Sequence, residues 1–416
     1  MAESRHTIQE LQELQSYPLS IKIQLTKQRL REWVGHFGVD GVYISFSGGK
    51  DSTVLLHIAR AMYPDIKAVF VDTGLEYPEI RDFVKTFDNV DWLKPRYTFR
   101  QVIEKYGYPF ISKEVSECAY AAKRYLTDIL AENSIDRQTD SGISGTGKSI
   151  SNCADLKSMQ NPTRGGWTAS GVSLEELANI LNERMLQKSG GQNQRLAIML
   201  GILTRDPKHP IKANIPNKDR SKFSMQKYSF LLDAPFLISN ICCRVMKKNP
   251  VHDYTKKTGR VGITAQMASE SMLRTQKWLK NGCNAFDLKT PISNPMSFWT
   301  EQDVLLYLWD RKLPIAKVYG DIVKDNEVEG QLDFEDLGLF DLGAPCLKTT
   351  GAQRTGCMFC GFGCHLEKPG HGRFELMKHT HPKQYDYIMR PWDKGGLNYK
   401  EVIDWINEHG NTQIRY

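Results

Sequence analysis

The chain has 416 residues, 40% of them hydrophobic and 25% charged, with a formal net charge of +7. That is length for two or three domains, or one large domain with insertions, with ample core, and the composition is ordinary for a soluble protein; the mild positive balance leans towards anionic partners. The opening residues carry no apolar signal region and no run of 18 apolar residues occurs, so a cytoplasmic protein without membrane contact is expected, its nine cysteines serving as thiols and metal ligands rather than disulfides.

Residues 7–37 read as two helices, the first ending near Pro18 and the second starting at Ser20, packed on a sheet. Val42 to Phe46 follows as a short buried strand, β-branched and aromatic, between Gly41 and Gly48-Gly49. Ser52 to Met62 reads as a helix with apolar positions at Val54, Leu55, Ile58, Ala59 and Met62. The turn between them is Ser47-Gly48-Gly49-Lys50-Asp51-Ser52. Strand, glycine turn and helix together make a phosphate site: glycines admit an anion close to the backbone, and the helix start aims free N–H groups at it. Lys50 adds a charge, and Ser47 and Ser52 add hydroxyls. Asp51 would repel phosphate, so it is expected as a magnesium ligand or a helix-start residue.

The hexapeptide SGGKDS resembles the pyrophosphate loop of the PP-loop ATP pyrophosphatase superfamily, which includes PAPS and APS reductases, sulfate adenylyltransferase subunits and nucleic-acid thiolation enzymes. Ile66 to Val71 reads as a second strand running into Asp72-Thr73-Gly74-Leu75-Glu76-Tyr77-Pro78-Glu79, a segment similar to one in the PAPS reductase group. Ligands sit at the carboxyl ends of strands in open α/β sheets, so Asp72, Thr73 and Gly74 fall beside the loop if the two strands are neighbours. A helix from Glu79 to Phe87, a third strand at Trp92-Leu93 and a helix from Phe99 to Tyr106 continue the alternation. The expected fold is α/β, a doubly wound, mostly parallel sheet of the adenine nucleotide alpha-hydrolase-like, HUP-type class.

From Cys118 to Ser229 the pattern loosens, with an irregular Ser- and Gly-rich stretch over 133–171 and a helix from Leu174 to Met185. Gly142 to Ser149, GISGTGKS, fits a Walker A expression; Ser189 to Arg195 resembles an ABC signature, and Phe230 to Pro235 a Walker B. The set is rejected, because no strand precedes Gly142 and no carboxylate follows Asp233.

Cys242-Cys243, followed by Arg244, Lys247, Lys248, Lys256, Lys257 and Arg260, resembles the paired-cysteine element of iron–sulfur APS reductases, and reads as an anion site next to a metal site. Val261 to Ser271 with Arg274 resembles a strand-to-helix segment of the same family; Thr264, Glu270 and Arg274 match its pattern, while Met267 stands where the family has an arginine. Asn294 to Tyr319 resembles a family helix that Thr300 caps, with Asp303 in its first turn and a structural role. Asp321 to Asp341 holds eight acids against one lysine and reads as an exposed insertion.

Cys357-Met358-Phe359-Cys360 lies among glycines, as metal knuckles do. Two ligand sets compete. The resemblance implies Cys242, Cys243, Cys357 and Cys360 around a [4Fe–4S] cluster. Spacing alone offers Cys346, Cys357, Cys360 and Cys364 to zinc or a cluster, closing shorter loops but leaving Cys242-Cys243 unexplained. The expected division is N-terminal helices over 1–40, a PP-loop domain in two parts over 41–118 and 230–317, an inserted lid or recognition segment over 119–229, the acidic insertion over 318–345, and a cysteine-rich region with terminal helices over 346–416.

Reductases of this family carry a nucleophilic cysteine in a C-terminal tail and usually a degenerate phosphate loop; here the loop is complete and no cysteine follows Cys364. Both departures favour ATP. The resemblance then implies an enzyme cleaving ATP to AMP and pyrophosphate and transferring sulfur to an acceptor such as tRNA or DNA. Lys50, Asp51 and Asp72 would be catalytic, magnesium would sit on Asp51 or Asp72, and Ser45, Ser47, Gly48, Gly49, Ser52, Thr73, Gly74, Thr264, Glu270, Arg274, Lys247 and Lys248 would line the nucleotide site. A sulfonucleotide reductase using Cys283, Cys364 or a thioredoxin-like partner is the alternative, and a non-catalytic nucleotide- and cluster-binding subunit the third. A sulfur donor and a homo-oligomer or larger complex are expected.

Overall fold

The computed structural model describes residues 5–139, 172–187, 191–205, 210–325 and 346–416. The Walker A look-alike at 142–149 and most of the acidic stretch lie outside them. The chain divides into two compact units, one made of Met1–Arg96 with Lys247–Met358 and the other of Tyr97–Met246 with Phe359–Tyr416.

The first unit is built on a strand that is hydrophobic on both faces. β1 (Val42–Ser45) has no polar side to turn to water, and Val42, Tyr43 and Ile44 are buried. It pairs in parallel with β2 (Ala68–Val71) on one side and β5 (Val261–Ile263) on the other, with Ile44 opposite Ala68 and Val42 opposite Val261. With β3 (Val90–Leu93), β6 (Asn284–Ala285) and β7 (Ile292–Ser293), the order is β3-β2-β1-β5-β7-β6. All pairs are parallel except β6 with β7. The expected mostly parallel α/β sheet is present, and the strands predicted around residues 42, 67 and 92 are its first three. The short antiparallel edge carried no readable alternation, since each of its strands has two residues.

Helices flank the sheet. α1 (Ile8–Ser16) and α2 (Leu19–Phe37) are separated at Pro18, which supplies no N–H and sits ahead of the first turn of α2. α2 buries Leu30, Trp33 and Val34 in the core that holds Ile44, Phe46, Leu55, Phe70 and Trp299. The Glu301–Asp310 helix starts at Thr300, whose side chain accepts from the Asp303 N–H while Asp303 accepts from the Thr300 N–H at 2.7 Å. Asp303 also receives the buried Lys22 Nζ at 2.7 Å.

The second unit packs the Lys113–Thr139 helix against the Gly191–Leu200 helix. A short parallel pair, β4 (Phe110–Ile111) and β10 (Gly361–Phe362), lies beside an aromatic cluster of Tyr108, Phe110, Phe374 and Tyr399. Residues Gln226–Leu232 form a 3₁₀ turn, so the Walker B look-alike does not lie on a strand. The expected helix from Leu174 and the expected terminal helices are found as Leu174–Gln187, and as Arg373–Thr380, Pro382–Met389 and Tyr399–Gly410. Among the described residues, no helix is long and apolar enough to cross a membrane.

Candidate nucleotide site

β1 ends at Ser45, and helix α3 (Lys50–Met62) begins two residues earlier than its apolar pattern suggests. Gly49 serves as the N-cap, which brings Lys50, Asp51 and Ser52 into the first helical turn. Gly48 must be glycine for two reasons. Its φ is +71°, and a Cβ there would stand 2.8 Å from a Val84 methyl and 2.9 Å from an Ile80 methyl. The loop braces itself: the Ser47 N–H donates to Ser52 Oγ at 3.2 Å, the Ser47 and Ser52 hydroxyls are 3.1 Å apart, and Ser52 Oγ donates to the Gly49 carbonyl at 3.0 Å.

Every cation that the sequence assigned to this loop or to the strand ends beside it meets a carboxylate. Lys50, 5% exposed, places Nζ 3.1 Å from Glu301 Oε1 and 5.3 Å from the centre of the Tyr319 ring. Arg274 pairs with Glu270, which also accepts the Met267 N–H at 2.9 Å. Thr264 donates to Asn294 Oδ1. Asp72, buried at the end of β2, accepts from Arg81 Nη2 at 2.8 Å and from the Gly74 N–H at 3.2 Å. Thr73 is turned into its own loop by Glu76 at 2.8 Å, and Gly74 has φ +74°. Asp72 is thus committed to Arg81, which leaves Asp51 the better placed of the two expected metal carboxylates. Burial pushes the Asp51 carboxyl above the ordinary 3.8; Lys50 opposes that rise, Glu301 reinforces it, and Arg354 and Arg274 oppose it.

Four residues that the sequence reading did not assign stand at this loop: Glu301, Tyr319, Arg354 and Thr355. Tyr319 Oη is 2.5 Å from Thr355 Oγ1, and burial pushes its hydroxyl up to about 12. No local pattern signals them, because each reaches the loop from more than 250 residues away in sequence. Lys247 and Lys248 end a π-helical segment, Cys243–Lys248, ahead of the Asn249–Thr258 helix.

Of the expected cluster ligands, Cys242, Cys243 and Cys360 belong to the second unit and Cys357 to the first. Cys360 is held by the β4–β10 pair and by Arg373, whose Nη1 donates to the Cys360 carbonyl at 2.7 Å while Nε meets Glu367 at 2.7 Å. Burial raises the Cys360 thiol; the Phe362 N–H and Arg373 oppose this, and Cys243 adds to it. Burial also pushes Cys364 up to about 12, and its Sγ donates to the Gly361 carbonyl at 2.7 Å. The donors are soft sulfurs of the kind iron and zinc take. Among the described residues, however, no three or more His, Cys, Asp or Glu side chains come together as a metal-binding group.

Residues 41–132 match the family described as phosphoadenosine phosphosulfate reductase domain. Two uncharacterized proteins of Methanocaldococcus jannaschii are 43% identical over 70 residues and 37% over 79, each match covering 16% of this chain and 17% and 15% of theirs. An adenosine 5'-phosphosulfate reductase of Staphylococcus haemolyticus is 26% identical over 98 residues, 22% of this chain and 40% of that protein. The chain therefore spans less than half the length of these relatives. The matched segment holds β1, the glycine loop, α3 and the Asp72 turn, and over that segment the chain is similar to the phosphoadenosine phosphosulfate reductase domain.

Proposed function

We propose that this is a PP-loop enzyme that binds an adenine nucleotide, cleaves ATP to AMP and pyrophosphate, and transfers sulfur to an activated acceptor such as a nucleic acid. The observation that carries the reading is the complete SGGKDS loop, braced between β1 and α3 with Lys50 in the first helical turn. In this reading the loop amides and Lys50 hold the β- and γ-phosphates, and Asp51 carries magnesium. An acceptor oxygen attacks the α-phosphorus, the bond to the β-phosphate oxygen breaks, and pyrophosphate leaves with the charge that the loop stabilises. Sulfur from a donor then displaces AMP from the adenylated acceptor.

The cofactor part of the reading rests on donor chemistry and sequence. Cys242, Cys243, Cys357 and Cys360 would supply four thiolates to a [4Fe–4S] cluster, which when bound provides a site for sulfur; zinc is the competing metal. A second reading, sulfonucleotide reduction with release of sulfite, is favoured by the similarity to the staphylococcal reductase.

One experiment separates the two. Anaerobically purified protein with magnesium is given ATP, or adenylyl sulfate or PAPS with a thiol, and small-molecule products are resolved by chromatography. AMP and pyrophosphate from ATP, stimulated by RNA or DNA, support adenylation. Sulfite from the sulfonucleotide overturns it in favour of reduction. Iron and acid-labile sulfide per chain, measured on the same preparation, decide between cluster and zinc.

A further inference from the structure

Lys50, Arg81 and Arg274 are already held by Glu301, Asp72 and Glu270. Arg354 differs. It is exposed and, among the described residues, stands in no ion pair or hydrogen bond. Its position is nevertheless fixed by its neighbours. The next residue, Thr355, meets Tyr319 Oη at 2.5 Å, and both hydroxyls face the loop: a Cβ at Gly49 would lie 3.4 Å from Tyr319 Oη and 3.9 Å from Thr355 Oγ1. Further along, the Met358 N–H donates to the Leu75 carbonyl at 2.8 Å, in the loop that follows Asp72. Residues 354–358 therefore run as a strap from the phosphate loop at the end of β1 to the turn at the end of β2. The Arg354 guanidinium lies within the electrostatic reach of Asp51, in the first turn of α3, and of Arg274.

We propose that Arg354 is a phosphate-contacting residue of this site and sets its preference for ligands bearing two linked anionic groups over those bearing one. The inference rests on the adenine-nucleotide reading and deepens it. A guanidinium presents five donors in a planar fork that matches two phosphoryl oxygens, and Arg354 has no partner to give up among the described residues. Lys50 is buried and must share itself with Glu301. The loop amides and Lys50 hold the linked phosphoryl groups, and Arg354, beside the same turn, adds a contact to the second of them. AMP offers only the first.

The test is calorimetric titration of the full chain with inorganic pyrophosphate, ATP and AMP, each with magnesium. Arg354→Ala is compared with wild type, with Arg354→Lys, and with Arg31→Ala, which removes an exposed charge on α2. Arg354→Ala is expected to weaken pyrophosphate and ATP about tenfold or more, the worth of one lost charge-assisted contact, and AMP by no more than about twofold. Arg354→Lys restores part of the loss. Pyrophosphate binding no weaker than in Arg31→Ala overturns the assignment, and so does an equal loss for AMP and pyrophosphate. Wild-type protein that binds none of the three overturns the adenine-nucleotide reading and this inference with it; wild-type binding that is indifferent to residue 354 overturns this inference alone.

Discussion

Lys50 Nζ and Glu301 Oε1 are 3.1 Å apart, joining the start of α3 to the start of another helix 251 residues later. The lysine is buried and the glutamate 39% exposed. Glu301→Gln leaves a buried ammonium with a neutral partner, so the ligand-free protein should lose about 1–2 kcal/mol, discounted for the solvent at Glu301. A phosphate anion then supplies the missing charge. Pyrophosphate should raise the melting temperature of the variant more than that of the wild type; equal shifts would mean that the pair does not stand where phosphate binds.

Asp51 gives a dependence on pH. Its carboxyl is raised above the ordinary 3.8, chiefly by burial, so the folded chain holds that proton more tightly than the unfolded chain. The penalty of the buried charge is absent below the ordinary value and grows as pH rises through the folded one. Asp51→Asn should therefore melt higher than wild type at pH 7, and the gap should narrow as pH falls towards 4. A gap that does not change with pH refutes the burial account.

Gly48→Ala should be costly. The φ of +71° disfavours any side chain by about 1–2 kcal/mol, and the new methyl would press on Val84 and Ile80. Thermal melts and ATP titration should fall together, since the same turn carries stability and binding. A variant that melts normally but does not bind would place the cost in the ligand complex alone.

Lys22 and Asp303 form a pair with side-chain exposures of 3% and 12%. Lys22→Ala strands a carboxylate that also belongs to the capping box at Thr300. A loss of about 3 kcal/mol is expected in denaturant unfolding, with nucleotide affinity of the folded fraction unchanged. Altered affinity would give the Glu301 helix a role in the site beyond its structural one.

These residues also show what was legible in advance. The β1–loop–α3 unit, the break at Pro18 and the Thr300 cap are local patterns of propensity, glycine placement and capping chemistry, and each is found within a few residues of its expected bounds. The start of α3 at Lys50 differs because a glycine N-cap lets the helix begin before its apolar stripe does. Glu301, Tyr319 and Thr355 were not legible as site residues, since what brings them to Gly49 and Lys50 is the closure of the sheet and not their own neighbours in sequence. The pairing of Asp72 with Arg81 was within reach: nine residues separate them, across one turn and one helical turn.

The sheet order has a consequence for synthesis on the ribosome. β1, β2 and β3 leave the exit tunnel in succession and can pair at once, but the far side of β1 is covered only by β5, which follows after the Tyr97–Met246 part of the second unit. For the tens of seconds that this stretch takes to translate, the nascent half-sheet presents one bare, strongly hydrophobic edge. The central strand that leads into the glycine loop is thus also the one in longest need of protection, and expression is expected to depend on chaperone supply more than the stability of the finished fold would suggest.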